Sequence, residues 1–214
     1  MYSIRGMLNM KRKDLIESIA NKIKNYRKGE IAEIGPANVE RWVKQFDKKD
    51  QRLILKEMDH LLGEYYFSRE EVKEYLRELF SLEELLGKNP KKKLRNSQFL
   101  NIQTKGTSQK DLLELVDEIL MEEHDLSISD CTGSDTYFYI DDCIFTGNRL
   151  RYDLVPWIEK TDFSKRATII TYCIAHHSEG FNYANRYVSE AARQKDVRLS
   201  HWYAITINNS TFPA

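Results

Sequence analysis

Apolar positions recur at helical spacing through the first third of the chain and give way afterwards to short apolar runs that alternate with helical stretches. From Asp14 to Lys28, Leu15, Ile16, Ile19, Ala20 and Ile23 form one stripe, with basic residues gathered at the far end, where the helix dipole favours them. Gly35 and Pro36 break the pattern, and Asn38 can cap a second helix that carries Val39, Trp42, Val43 and Phe46. Asp47 and Asp50 open a third, with Leu53, Ile54, Met58, Leu61 and Leu62 between Arg52 and Leu62. After Gly63, the capping box Ser68-Arg-Glu-Glu71 starts a further run with Val72, Tyr75, Leu76, Leu79 and Phe80. Residues 1–88 therefore read as helical hairpins whose outward faces are dense in Glu, Lys and Arg, either as solvated surface or as a docking face. Gly87 to Arg95 combines chain breakers with five positive charges and reads as a basic connector over 89–96.

Beyond it the period changes. Ser97 to Ile102 reads as a strand, Gln103 to Lys110 as a polar loop, and Asp111 onward to about Glu123 as a helix. Tyr137 to Ile140 is an aromatic and β-branched strand that stops at Asp141 and Asp142. Arg149 to Lys160 reads as a helix that Pro156 must bend or restart, Ala167 to Ala175 as a buried strand, Asn182 to Gln194 as a helix and Leu199 to Ile207 as a last strand. Such alternation predicts an α/β domain over 97–214 with a small, largely parallel sheet. With so little chain after the last strand, the domain is expected to be incomplete at its C-terminus.

Composition narrows the class. The 214 residues are 41% apolar, enough for a core, and Lys+Arg and Asp+Glu are both 33, so a general polyanion binder is not indicated and any nucleic-acid contact must be local. No apolar run reaches the roughly 20 residues needed to span a bilayer, and the start lacks the apolar core of a secretory signal; no membrane association and a cytoplasmic location are expected. Cys131, Cys143 and Cys173 have no metal-ligand spacing and read as buried thiols. Cys143 beside two carboxylates is a poor thiolate.

The chemistry concentrates in two loops. Carboxylates where a parallel strand reaches the crevice accept hydrogen bonds from vicinal hydroxyls, and the turn through Cys143, Ile144, Phe145, Thr146 and Gly147 into a helix start at Asn148 and Arg149 offers N–H groups and a positive dipole end to a phosphate. The alternative is an ordinary strand-to-helix turn with Asp141 and Asp142 as solvated caps. Lys105, Gly106, Thr107 and Ser108, between a strand and a helix, supply a cation, a close backbone approach and hydroxyls for a second phosphate group. His176, His177 and Glu179 at a strand end do not have zinc spacing; they read as a plain loop or as one that touches an acceptor.

Ile140-Asp-Asp-Cys-Ile-Phe-Thr-Gly-Asn-Arg-Leu150 resembles the ribose-phosphate motif of type I phosphoribosyltransferases. The resemblance implies that Asp141 and Asp142 hold the ribose hydroxyls of phosphoribosyl pyrophosphate and serve catalysis. It implies that Cys143 to Arg149 grip the 5′-phosphate, that residues 105–108 meet the pyrophosphate, and that Mg²⁺ accompanies the substrate, with Asp141 and Asp142 as its protein ligands if it has any. Phe145 and Arg149 depart from the family pattern, which has a small residue or Thr at the first and a hydroxyl at the second. The strand pair and mobile loop that many members carry before the motif have no counterpart here; Asp130 to Asp135 stands in their place. The helical part, with Val39 to Asp47, resembles the extension before phosphoribosyltransferase-like domains of bacterial conflict systems, some encoded beside retron reverse transcriptases. That likeness implies either a ribose-phosphate-transferring effector in antiphage defence, a retron-type toxin, or a non-catalytic sensor or scaffold. Its partners would be a reverse transcriptase with its DNA and a further small protein.

Overall fold

The computed structural model describes residues 10–104, 106–164 and 166–208. The chain forms two compact units, residues 1–72 and 73–214. In the first, α1 (Arg12–Lys22), α2 (Pro36–Val43) and α3 (Gln51–Tyr65) pack through Leu15, Ile16, Ile19, Val39, Val43 and Leu55. Arg12 pairs with Glu40 at 2.5 Å, and the Lys22 ammonium reaches the buried Asp59 carboxylate at 2.5 Å. Gly63 does not end α3, because its exposed position costs the helix only about 1 kcal/mol.

The division between units falls inside α4 (Arg69–Ser81) rather than near residue 88. The reason is packing: Phe80 lies against Phe99 and Phe138, with ring centroids 5.8 and 5.7 Å away, so the end of α4 belongs to the core of the sheet. The expected basic connector is also not a loop. After α5 (Glu83–Leu86), Asn89 caps α6 (Pro90–Arg95) by accepting from Lys92 N–H, Pro90 occupies the first turn, and Leu94 is fully buried.

The second unit is α/β, with a four-stranded parallel sheet in the order β1 (Ser97–Phe99), β2 (Thr136–Ile144), β3 (Thr168–His177), β4 (Arg198–Ile207). The helices between strands are α7 (Ser108–His124), α8 (Asn148–Lys160) and α9 (Ser178–Gln194). Alternation along β2 sends Tyr137 and Tyr139 to one face, where they meet Leu150, Leu154 and Ile158 of α8 and Ala184, Val188 and Ala191 of α9. Phe138 points to the other face, towards α4. There Lys73 and Arg77 of α4 pair with Glu118, Glu122 and Glu123 of α7, which places α7 in the same layer. All three crossovers step the sheet in the same direction, so the α7 crossover has the opposite hand to the other two, although such crossovers are overwhelmingly right-handed. Between α7 and β2 the chain has only a 3-10 turn, Ile128–Asp130, and bends, with no added strand pair.

Pro156 does not restart a helix: α8 runs through it from Asn148 to Lys160. The carbonyl that loses its partner is that of Tyr152, a residue 65% exposed, and solvent can satisfy it. No helix is long and apolar enough to cross a membrane among the described residues.

Candidate functional site

Both predicted loops lie at the carboxyl edge of the sheet. β2 is longer than its apolar run suggests: Asp141 pairs with Cys173, Cys143 with Ala175 and Ile144 with His176, so the acidic pair sits inside the strand rather than past its end. The expectation placed a strand stop at a charge, but an inward-facing carboxylate is tolerated when it has partners. Strand alternation then separates two residues that look equivalent in sequence. Asp141 is 2% exposed, whereas Asp142 faces solvent.

Asp141 is held by three donors or near-donors. Ser108 Oγ lies 3.3 Å from Oδ1, the Asp142 backbone N–H donates to Oδ1 at 3.0 Å, and Tyr139 Oη stands 3.3 Å from Oδ2. Tyr139 Oη is also 3.0 Å from Asp153 Oδ2 of α8. A phenol has one proton, so it cannot donate to both carboxyls. Burial, reinforced by the Asp142 charge, pushes the Asp141 carboxyl up to about 7. A protonated Asp141 donating to Tyr139, which donates to Asp153, satisfies all three groups. Burial also raises the Asp153 carboxyl, opposed by the Tyr139 hydrogen bond and the Arg149 charge.

Ser108 joins the loops. It is the first residue of α7, and its hydroxyl lies 3.3 Å from Asp141 and 3.4 Å from Gln103 Oε1. The loop before it is fixed by Gln109, which is fully buried: Oε1 accepts from the N–H groups of Ile102 and Gln103 at 2.8 and 3.0 Å, and Nε2 donates to the Ile140 carbonyl at 3.3 Å. Gly106 has φ +90° and Thr107 is the cap residue, its hydroxyl 3.2 Å from Asp111. Lys105 lies outside the described residues.

On the other loop, Cys143 and Ile144 are strand residues, so the turn consists of Phe145, Thr146 and Gly147. Gly147 caps α8 at φ +75°, Asn148 N–H lies 3.4 Å from Thr146 Oγ1, and among the described residues the cap position makes no side-chain hydrogen bond to the first turn. Phe145 is 62% exposed and Arg149 half-buried. Burial and the two carboxylates push the Cys143 thiol up to about 12, which removes it as a nucleophile.

The turn is clamped from beneath by α9. A Cβ on Gly180 would stand 1.7 Å from the Phe145 carbonyl oxygen, and one on Gly147 would stand 2.0 Å from the Gly180 carbonyl oxygen, so backbone meets backbone. Nor is there a loop at 176–180: β3 passes directly into α9. His176 turns inward, 3.0 Å from Thr206 Oγ1 and 3.3 Å from His201, which in turn lies 2.7 Å from Thr171 Oγ1. Burial lowers both imidazoles, His201 to about 4. Among the described residues no group of three or more His, Cys, Asp or Glu side chains could hold a metal.

Sequence reading missed Tyr139 as a polar partner, Asp153, Gln109, Gly180 and His201. Asp153 did leave a trace, since it falls on the same α8 stripe as Leu150, Leu154 and Ile158. Gln109 left none, because its partners are backbone groups that only the folded loop brings to it.

The PRTase-CE family model matches residues 39–214 of the chain. No curated protein and no solved structure matches it.

Proposed function

The chain belongs to the PRTase-CE family of phosphoribosyltransferase-type domains, and from that premise we propose that its carboxyl-edge crevice binds phosphoribosyl pyrophosphate and transfers ribose phosphate to an acceptor nucleophile. The single observation that supports this most is the approach of Ser108 Oγ to Asp141, because it sets the two loops side by side with an acidic pair between them. In this reading Asp142, exposed, accepts ribose hydroxyls directly, and Asp141 joins it when it gives up its proton. Thr146, Gly147, Asn148 and Arg149 take the 5′-phosphate on N–H groups and a guanidinium, with Phe145 on the rim. Gly106, Thr107 and Ser108 take the pyrophosphate; Lys105 is assigned there by sequence position.

Magnesium suits this donor set, since it favours one or two carboxylates together with substrate phosphate oxygens and water, and Asp142 is such a carboxylate. When bound, it would neutralise charge on the departing pyrophosphate. The protein's own part is to orient the sugar phosphate between two helix starts and to place the Asp142 charge near the anomeric centre, where positive charge builds. From the likeness of the helical region to conflict-system extensions, we extend the proposal to an antiphage effector of the retron-toxin kind, whose partners would be a reverse transcriptase with its DNA and a further small protein.

A second reading, a ligand-sensing module without turnover, is favoured by the direct α7 to β2 link, since no strand pair is present there to carry a covering loop over the site. Calorimetry with phosphoribosyl pyrophosphate and Mg²⁺, followed by a pyrophosphate-release assay across nucleobase, amine and nucleic-acid acceptors, separates the two. Binding with release supports the transferase; binding without release supports the sensor; no binding sinks both.

A further inference from the structure

At the opposite edge of the sheet, where β3 and β4 begin, a cavity of about 400 Å³ opens beside the end of α9. Arg166, Arg193 and Arg198 line it with the Ser189 hydroxyl, over an apolar floor that includes Ala192 and Val197. The backbone brings together the segments that carry two of these cations: Arg198 N–H donates to the Ala167 carbonyl at 3.0 Å, and Thr168 registers with Arg198. Among the described residues neither the Arg166 nor the Arg198 guanidinium has an ion-pair or hydrogen-bond partner, while Arg193 shares its charge with Glu190 at 2.7 Å. Asp196 is on the rim but pairs with none of them. Arg166 also holds φ +69°, a conformation uncommon for a residue other than glycine.

Cations that line one cavity without a carboxylate partner can be joined there by an anion, and a guanidinium fork matches phosphoryl oxygens in pairs. The volume is at the small end of ligand sites, and the apolar floor suits the body of a small molecule rather than a bare ion. We infer that this cavity is a second anion site, which takes the phosphoryl dianion of a small phosphomonoester through Arg166 and Arg198, with Arg193 and Ser189 beside it. It lies across the sheet from Asp141 and Asp142 and does not depend on the function proposed for them.

Titration of the full chain with phenyl phosphate and with inorganic phosphate, by calorimetry at low salt, tests it. The unaltered chain is expected to bind phenyl phosphate, which has no ribose for the acidic pair to hold. Arg166→Ala combined with Arg198→Ala is expected to weaken that binding by roughly tenfold or more, with Arg166→Lys combined with Arg198→Lys intermediate. Both arginines are exposed, and matching thermal melts establish that the variants fold. Absence of binding by the unaltered chain at millimolar phenyl phosphate, or equal binding by the Arg166→Ala, Arg198→Ala chain, overturns the assignment.

Discussion

Gly180→Ala should act against its own helix propensity. Gly180 is in the first turn of α9, and replacing a helical glycine by alanine ordinarily stabilises a protein by up to about 1 kcal/mol. Here the new methyl would meet the Phe145 carbonyl oxygen at 1.7 Å, its carbon at 2.6 Å and the Thr146 carbonyl carbon at 3.0 Å, all backbone atoms. Real Cβ contacts stay beyond about 3.0 Å, so the 145–147 turn and α9 must part by about 1.3 Å. Overpacking costs about 1–3 kcal/mol, and because backbone meets backbone the cost is in the upper part of that range, about 2–3 kcal/mol, which leaves a net loss of about 1–2 kcal/mol after the propensity gain. For a chain of this size that is a fall in Tm of roughly 2–8 °C. A displacement near 1 Å in the turn should also weaken sugar-phosphate binding by roughly tenfold or more, the loss of one charge-assisted hydrogen bond, because the N–H groups that would face the 5′-phosphate move with it. Urea denaturation and calorimetry with phosphoribosyl pyrophosphate measure both effects. A Gly180→Ala chain as stable as the parent, with unchanged binding, would refute the clamp between α9 and the turn.

Gly63→Ala is the companion case with the opposite sign: it lies within α3, its Cβ would have only the flexible Lys22 ammonium arm at 3.5 Å, and denaturation should show a gain of about 0.5–1 kcal/mol. Asp141→Asn should become more stable relative to the parent as pH rises. The folded-state carboxyl is raised from the ordinary value to about 7, so the parent's contribution from protonated Asp141 is full below about pH 4 and lost as pH rises to about 7, while Asn cannot titrate. At about 1.4 kcal/mol per pKa unit the difference amounts to a few kcal/mol, read from urea melts at pH 4.5 and 8; a pH-independent difference would contradict it. Gln109→Leu should cost about 2–4 kcal/mol by orphaning the Ile102 and Gln103 N–H groups, and a loss below about 0.5 kcal/mol in the same melts would show that water replaces the amide.

How far the fold could be read before the structure follows from the range of the forces involved. The β-α-β alternation, the parallel sheet and the convergence of the two loops at one edge were visible because hydrophobic period and turn chemistry are local. Continuity of α8 through Pro156 was not, since it depends on an exposed Tyr152 carbonyl that solvent can serve. The six-residue helix at 90–95 hid beneath its charges, although Leu94 within it is fully buried. In the candidate site, the pair Asp141 and Asp142 was legible as residue types but not as roles. Only knowledge that β2 continues to Ile144 makes alternation bury the first and expose the second. Tyr139 looked like core and is core, yet its hydroxyl bridges two carboxyls from different elements, a relation that no sequence spacing encodes.

Calorimetry of phosphoribosyl pyrophosphate with Mg²⁺ on the full chain and on Asp142→Asn tests the central claim most directly. Asp142 is exposed, so its substitution should leave stability within about 0.5 kcal/mol, and any change in binding reports the site alone. The account predicts saturable binding by the parent chain and a loss of at least about tenfold in the variant; the same affinity in both, or none in the parent, would contradict it.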